Sequence, residues 1–88
     1  MPGEIADLSL KPQDKVLADA RARKDLPPPR QRRAIRRRAG VAAVAIANVL
    51  GVSRQTVSAW EHGRHIPRQP LLDRYAALLR DLEDEVAR

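Results

Sequence analysis

Gly40, Gly51 and Gly63 each end a short segment of helical pattern, and this punctuation constrains the chain more than any other feature. Each stands where a left-handed residue closes a helix, and the first two stops lie eleven residues apart. No segment alternates as a half-buried strand does. The chain is expected to be all-α, a bundle of four short helices, with no internal repeat. The first is placed at about Arg30 to Ala39, the second at about Ala42 to Leu50, and the third from an N-cap at Ser53 to about His62. The fourth runs from Gln69 or Pro70 to about Glu85. The second, AAVAIANVL, is apolar almost all round, the pattern of a helix covered on most sides. In the fourth, Leu71, Leu72, Tyr75, Leu78, Leu79, Leu82 and Val86 make one stripe, which should cover the core and outrun it.

Pro27, Pro28 and Pro29 form a stiff break upstream, because proline fixes φ and restricts the residue before it. The break divides an N-terminal arm, residues 1–27, from a main domain, residues 28–88. Within the arm, Gln13 to Lys24 is rich in helix formers, with Val16, Leu17, Ala20 and Arg21 roughly on one stripe and Asp14 suited to a first turn. Residues 1–10 are expected to be mobile. The arm's thin apolar face leaves three outcomes open: docking on the main domain, meeting a protein partner, or fraying.

Charge narrows the partner. Residues 30–68 hold nine arginines and a single acid, Glu61, a local charge of +8, whereas the flanking segments together carry −2. Such a concentration suits a polyanion, since each cation near a phosphate releases a condensed counterion, although a solvated helix face gives the same pattern. Arginine in place of lysine favours planar, bidentate contact.

Other chemistry finds no support. With 88 residues and no cysteine, the chain offers one small core, no disulfide and no thiol chemistry, and a deep substrate cleft is not expected. His62 and His65 lack a third ligand, so no metal and no cofactor are expected. Ser53 and Ser58 lack a base held by a third group, and no catalytic residue is assigned. The longest apolar stretch, Val41 to Leu50, is ten residues against the roughly 20 of a membrane span. No secretory signal is read at the start, and a cytoplasmic location is expected.

Residues 35–67, IRRRAGVAAVAIANVLGVSRQTVSAWEHGRHIP, resemble the helix-turn-helix domains of the lambda-repressor and Cro family, often called Xre-like. Arg36, Gly40 and Val41 match the end of that family's first helix. Ile46, Ala47, Asn48, Val49, Leu50, Gly51, Val52 and Ser53 match its second helix and turn. Ser53, Arg54, Thr56, Val57, Ser58, Trp60, Glu61 and Gly63 match its recognition helix. With Pro67 and the leucine-rich last helix, the likeness covers about residues 30–82, and the arm lies outside it.

The residue types make physical sense apart from the likeness. Ala47 is small where two helices cross, and Gly51 permits the positive φ of a short turn. Ser53 caps the next helix and leaves its positive dipole end facing outward. Val57 and Trp60 share an inward face with help from Val52, whereas Arg54, Gln55, Ser58 and Ala59 share the outward one.

The resemblance implies that Arg54, Gln55 and Ala59 meet base edges in the major groove of double-stranded DNA, with Ser58 adding a contact. Arginine can bond guanine O6 and N7, glutamine can bond adenine N6 and N7, and the alanine methyl can touch a thymine methyl. Thr56 reads equally as a phosphate contact or as a local backbone hydrogen bond. The family's polar cap and phosphate-holding glutamine on the second helix are replaced by Ala42 and Ala43. Backbone anchoring therefore falls to the loop residues Arg64, His65 and Arg68 and to the first-helix arginines Arg33 and Arg37. Arg36 and Glu61 match the family's structural ion pair, and an inward Glu61 spares the DNA face a negative charge. Arg32 departs from an apolar position, so the first helix should start differently or sit looser.

The residues thus point to a small DNA-binding transcriptional repressor of phage, prophage or plasmid type, not an enzyme, acting as a homodimer through Leu82, Val86 or the arm. The rival assignments are the antitoxin of a toxin pair, with residues 1–27 holding the toxin, and a protein-bridging module without sequence-specific DNA binding.

Overall fold

The computed structural model describes residues 11–88. Three of its helix ends share one device. The N–H of Val41, Val52 and Arg64, each one residue past a glycine, reaches back five residues to the carbonyls of Arg36, Ala47 and Ala59, at 3.1, 3.0 and 2.9 Å. This is the Schellman closure, and the glycine within it takes φ near 70° in all three. At Gly63 a second constraint joins the first: a Cβ there would stand 3.0 Å from Pro29 Cγ, so the turn also admits the start of a neighbouring helix.

Among the described residues there are five helices: α1 Pro12–Asp25, α2 Pro29–Arg38, α3 Ala43–Leu50, α4 Arg54–Glu61 and α5 Leu71–Ala87. Among the described residues there is no strand, and the all-α expectation agrees with the architecture. Proline stands at the first position of α2, where its missing N–H costs nothing. At α5 the Gln69 side chain accepts from the Asp73 N–H at 3.2 Å and donates to its carboxylate at 3.0 Å, closing the helix start. No helix among the described residues is long and apolar enough to cross a membrane.

α5 is the spine. α1, α2 and α3 all pack on it, and α4 packs on α2 and α3. Leu72, Tyr75, Ala76 and Leu79 are its buried face, meeting Ile35 of α2, Ile46, Ala47 and Leu50 of α3, and Val57 and Trp60 of α4 in one cluster. Burying each large side chain in that cluster contributes on the order of 2 kcal/mol. The Trp60 and Tyr75 rings meet at 4.8 Å between centroids and 42° between planes. Arg74 of α5 donates to the Val49 carbonyl at 3.0 Å, placing a cation at the C-terminal end of α3.

Three expectations are corrected. The second segment is not covered on most sides: Val44 and Val49 are 48% and 60% exposed, because α3 has packing partners on one side only. The arm does form a helix, but its Val16, Leu17, Ala20, Arg21 stripe faces water. Ala22 and Leu26, one turn apart at its C-terminal end, are the residues that bury, and α1 docks on α5 through that end. Arg32 does not loosen the start of α2. It is buried, and its guanidinium is satisfied by two carbonyls. The mobility expected of residues 1–10 lies outside the described residues.

Candidate nucleic-acid interface

α3 and α4 are joined by the turn at Gly51 and Val52, and Ala47 and Val57, 1% and 0% exposed, sit at their crossing. The small side chain at Ala47 is what lets the two axes approach. At the start of α4 the Ser53 hydroxyl oxygen accepts from the Thr56 N–H at 3.1 Å, and its own partner is the Thr56 hydroxyl at 2.9 Å. The Thr56 hydroxyl thus meets a neighbouring side chain, not the backbone. Ser53→Ala is expected to lower stability by about 1 kcal/mol, read as a shifted urea midpoint.

The cap fixes which groups of α4 face out. Arg54 and Gln55 are exposed on its first turn, and Ser58 and Ala59 are half-buried beside them. Val57 and Trp60 turn into the core. The His62 ring folds back onto the Ser58 carbonyl through Nδ1 at 2.8 Å, at the far end of the same helix. Arg54 borders a shallow recess with Arg36, Ala42, Ala43 and Val44, at the N-terminal ends of α3 and α4. At the C-terminal end of α4, Arg33 and Arg37 line a groove with Arg30, Glu61 and His62. Arg64, His65 and Arg68 are exposed in the loop between α4 and α5, which the buried Pro67 anchors. Cationic groups therefore stand at both ends of α4 and along the loop that follows it.

The one acid of the basic segment borders that groove but is taken up by an arginine. Glu61 is 7% exposed, and its carboxylate accepts from Arg36 Nε at 2.5 Å and Arg36 Nη2 at 3.0 Å, a bidentate pair. The third Arg36 nitrogen donates to the Val41 carbonyl at 2.8 Å. The hydrogen bonds to Glu61 hold the Arg36 guanidinium in its charged form against the cost of burial. One turn earlier, Arg32 donates through Nε to the Pro27 carbonyl at 2.6 Å and through Nη1 to the Trp60 carbonyl at 2.9 Å. Burial pushes its pKa down, but an arginine stays a cation. Sequence reasoning missed this role for Arg32, although a charge at an apolar position was the signal. Tyr75, which the sequence places in the core stripe of the last helix, is buried there with a hydroxyl that has no hydrogen-bond partner among the described residues.

No group of three or more potential metal ligands gathers among the described residues. What the arrangement offers is an exposed polar helix face bordered by guanidinium groups. Two short helices joined through a glycine turn, the second presenting its first turn outward, define the class of helix-turn-helix DNA-binding regulators. A family model described as a helix-turn-helix domain matches residues 30–88, and the chain belongs to that family. No curated protein and no solved structure matches it.

Proposed function

We propose that the protein is a sequence-specific regulator of transcription, a small repressor of phage, prophage or plasmid type that occupies an operator and blocks polymerase. The observation that carries this reading is the withdrawal of Glu61. The single acid of a segment with nine arginines is buried against Arg36, which leaves the outward face of α4 without negative charge. An acid left on that face would repel the phosphates.

In this reading α4 lies in the major groove. Arg54 and Gln55 contact base edges from its first turn, and Ser58 and Ala59 complete the readout. Arg64, His65 and Arg68 hold phosphates from the following loop, Arg33 and Arg37 hold them from α2, and Thr56 adds a contact from the capped turn. Residues 28–88 form the DNA-binding domain, and residues 1–27 are an arm open to a protein partner. One recognition helix reads only a few base pairs, so two copies bind inverted half-sites about one helical turn apart. Val86, 39% exposed at the end of α5, and Leu82 beside it supply the contact between copies.

Bases and phosphates separate by substitution. Arg54→Ala or Gln55→Ala should cost about 1 to 3 kcal/mol on the best duplex and much less on random DNA, relaxing preference at one or two positions. Arg64→Ala or Arg68→Ala should weaken all duplexes alike and reduce the salt slope by about one for each phosphate no longer neutralised. An equal weakening of selected and random duplexes by Arg54→Ala would show that α4 does not read bases.

A further inference from the structure

Arg32 is 7% exposed, and its two hydrogen bonds join the end of the arm to the end of α4. Nε reaches the carbonyl of Pro27, the last residue of the arm, and Nη1 reaches the carbonyl of Trp60, in the last turn of α4. Burying a guanidinium is costly unless its donors are satisfied, and here a fork of nitrogens serves two carbonyls at once. The Trp60 carbonyl also accepts from the Gly63 N–H at 3.2 Å, so Arg32 adds a cation at the C-terminal end of the recognition helix, where the dipole favours one. Pro27 in turn follows Leu26, which is buried, and α1 packs on α5. The path is continuous: docked arm, Pro27 carbonyl, Arg32, Trp60 carbonyl, end of α4.

We infer that Arg32 is a positioning residue that couples docking of the N-terminal arm to the seating of the recognition helix, so that whatever lifts the arm weakens DNA binding. The link to DNA rests on the function proposed above, whereas the link between arm and helix does not. Arg36 holds the neighbouring Glu61 side chain, so release of Arg32 frees the α4 backbone while its ion pair stays in place.

The experiment uses the full chain and two readouts. Hydrogen exchange is followed at the Gly63 and Arg64 amides, which bond to Trp60 and Ala59, with the α5 amides from Tyr75 to Leu79 as the gauge of global stability. Affinity is measured on a duplex selected by the unmodified chain from a random pool. Leu26→Ala, which loosens the arm, is expected to speed exchange at Gly63 and Arg64 roughly tenfold beyond any change in α5, and to weaken the duplex complex by a similar factor. In an Arg32→Met chain the same Leu26 substitution should add nothing at these sites. Should Arg32→Met fail to fold, Arg32→Lys decides, because a single ammonium cannot reproduce the fork between two carbonyls. Equal effects of Leu26→Ala with and without the arginine, or coupling retained by lysine, would overturn the inference. A chain that binds no duplex would remove the proposed function but leave the exchange comparison to decide the coupling.

Discussion

Arg36→Met and Glu61→Ala are each expected to lower the free energy of unfolding by about 3 to 5 kcal/mol, a large part of what a domain of this size possesses. The reason is what each substitution leaves behind. The two side chains are 13% and 5% exposed, and the pair is bidentate. Removing the arginine strands a carboxylate that water barely reaches, and removing the carboxylate strands a guanidinium whose remaining bond is to the Val41 carbonyl. Replacing both at once, Arg36→Met with Glu61→Leu, should recover most of the stability, because a well-packed apolar pair has no charge to desolvate. Urea unfolding checks this through the midpoint at constant slope. Single variants as stable as the parent would mean that water reaches the pair in solution.

The second large effect appears in alkali. Burial pushes the Tyr75 phenol up to about 12, the Glu61 carboxylate adds to the rise, and Arg32 and Arg36 oppose it. In the unfolded chain the phenol ionises near its ordinary value of about 10. Below that value Tyr75 is neutral in both states and stability does not depend on it. Above it the unfolded state gives up its proton while the folded state cannot, so stability falls as pH rises from about 10 towards 12, by about 2 kcal/mol at the upper end. Tyr75→Phe removes the titrating group and should flatten this part of the curve. An equally steep alkaline decline in the Phe variant would place its origin elsewhere.

What could be read beforehand follows from whether the cause is local. The stops at Gly40, Gly51 and Gly63 and the cap at Ser53 are closed by hydrogen bonds within five residues, so helix number and order were visible in the sequence. The inward turn of Glu61 was visible too, because one acid among nine arginines has few places to go. The side of α3 that stays wet was not. AAVAIANVL offers apolar atoms all round, and only the positions of α4 and α5 decide that Ile46, Ala47 and Leu50 bury while Val44 and Val49 do not. The arm misled for a similar reason, since its richest apolar stripe is not its docking face: Ala22 and Leu26 sit beside the proline break, where the chain must turn towards α2. The charge at an apolar position marked Arg32 in the sequence, but its partners could not be read, because they are backbone carbonyls 5 and 28 residues away, which carry no side-chain signature.

Whether the exposed turn of α4 reads a DNA sequence is tested most directly by selecting duplexes from a random pool with the full chain, then titrating the selected and a scrambled duplex at several salt concentrations. Sequence reading predicts an enriched, two-fold symmetric motif bound at least about a thousandfold more tightly than the scrambled duplex, with both affinities falling as salt rises. Recovery of no motif, with selected and scrambled duplexes bound equally, would contradict it and leave the arginines as a general polyanion surface.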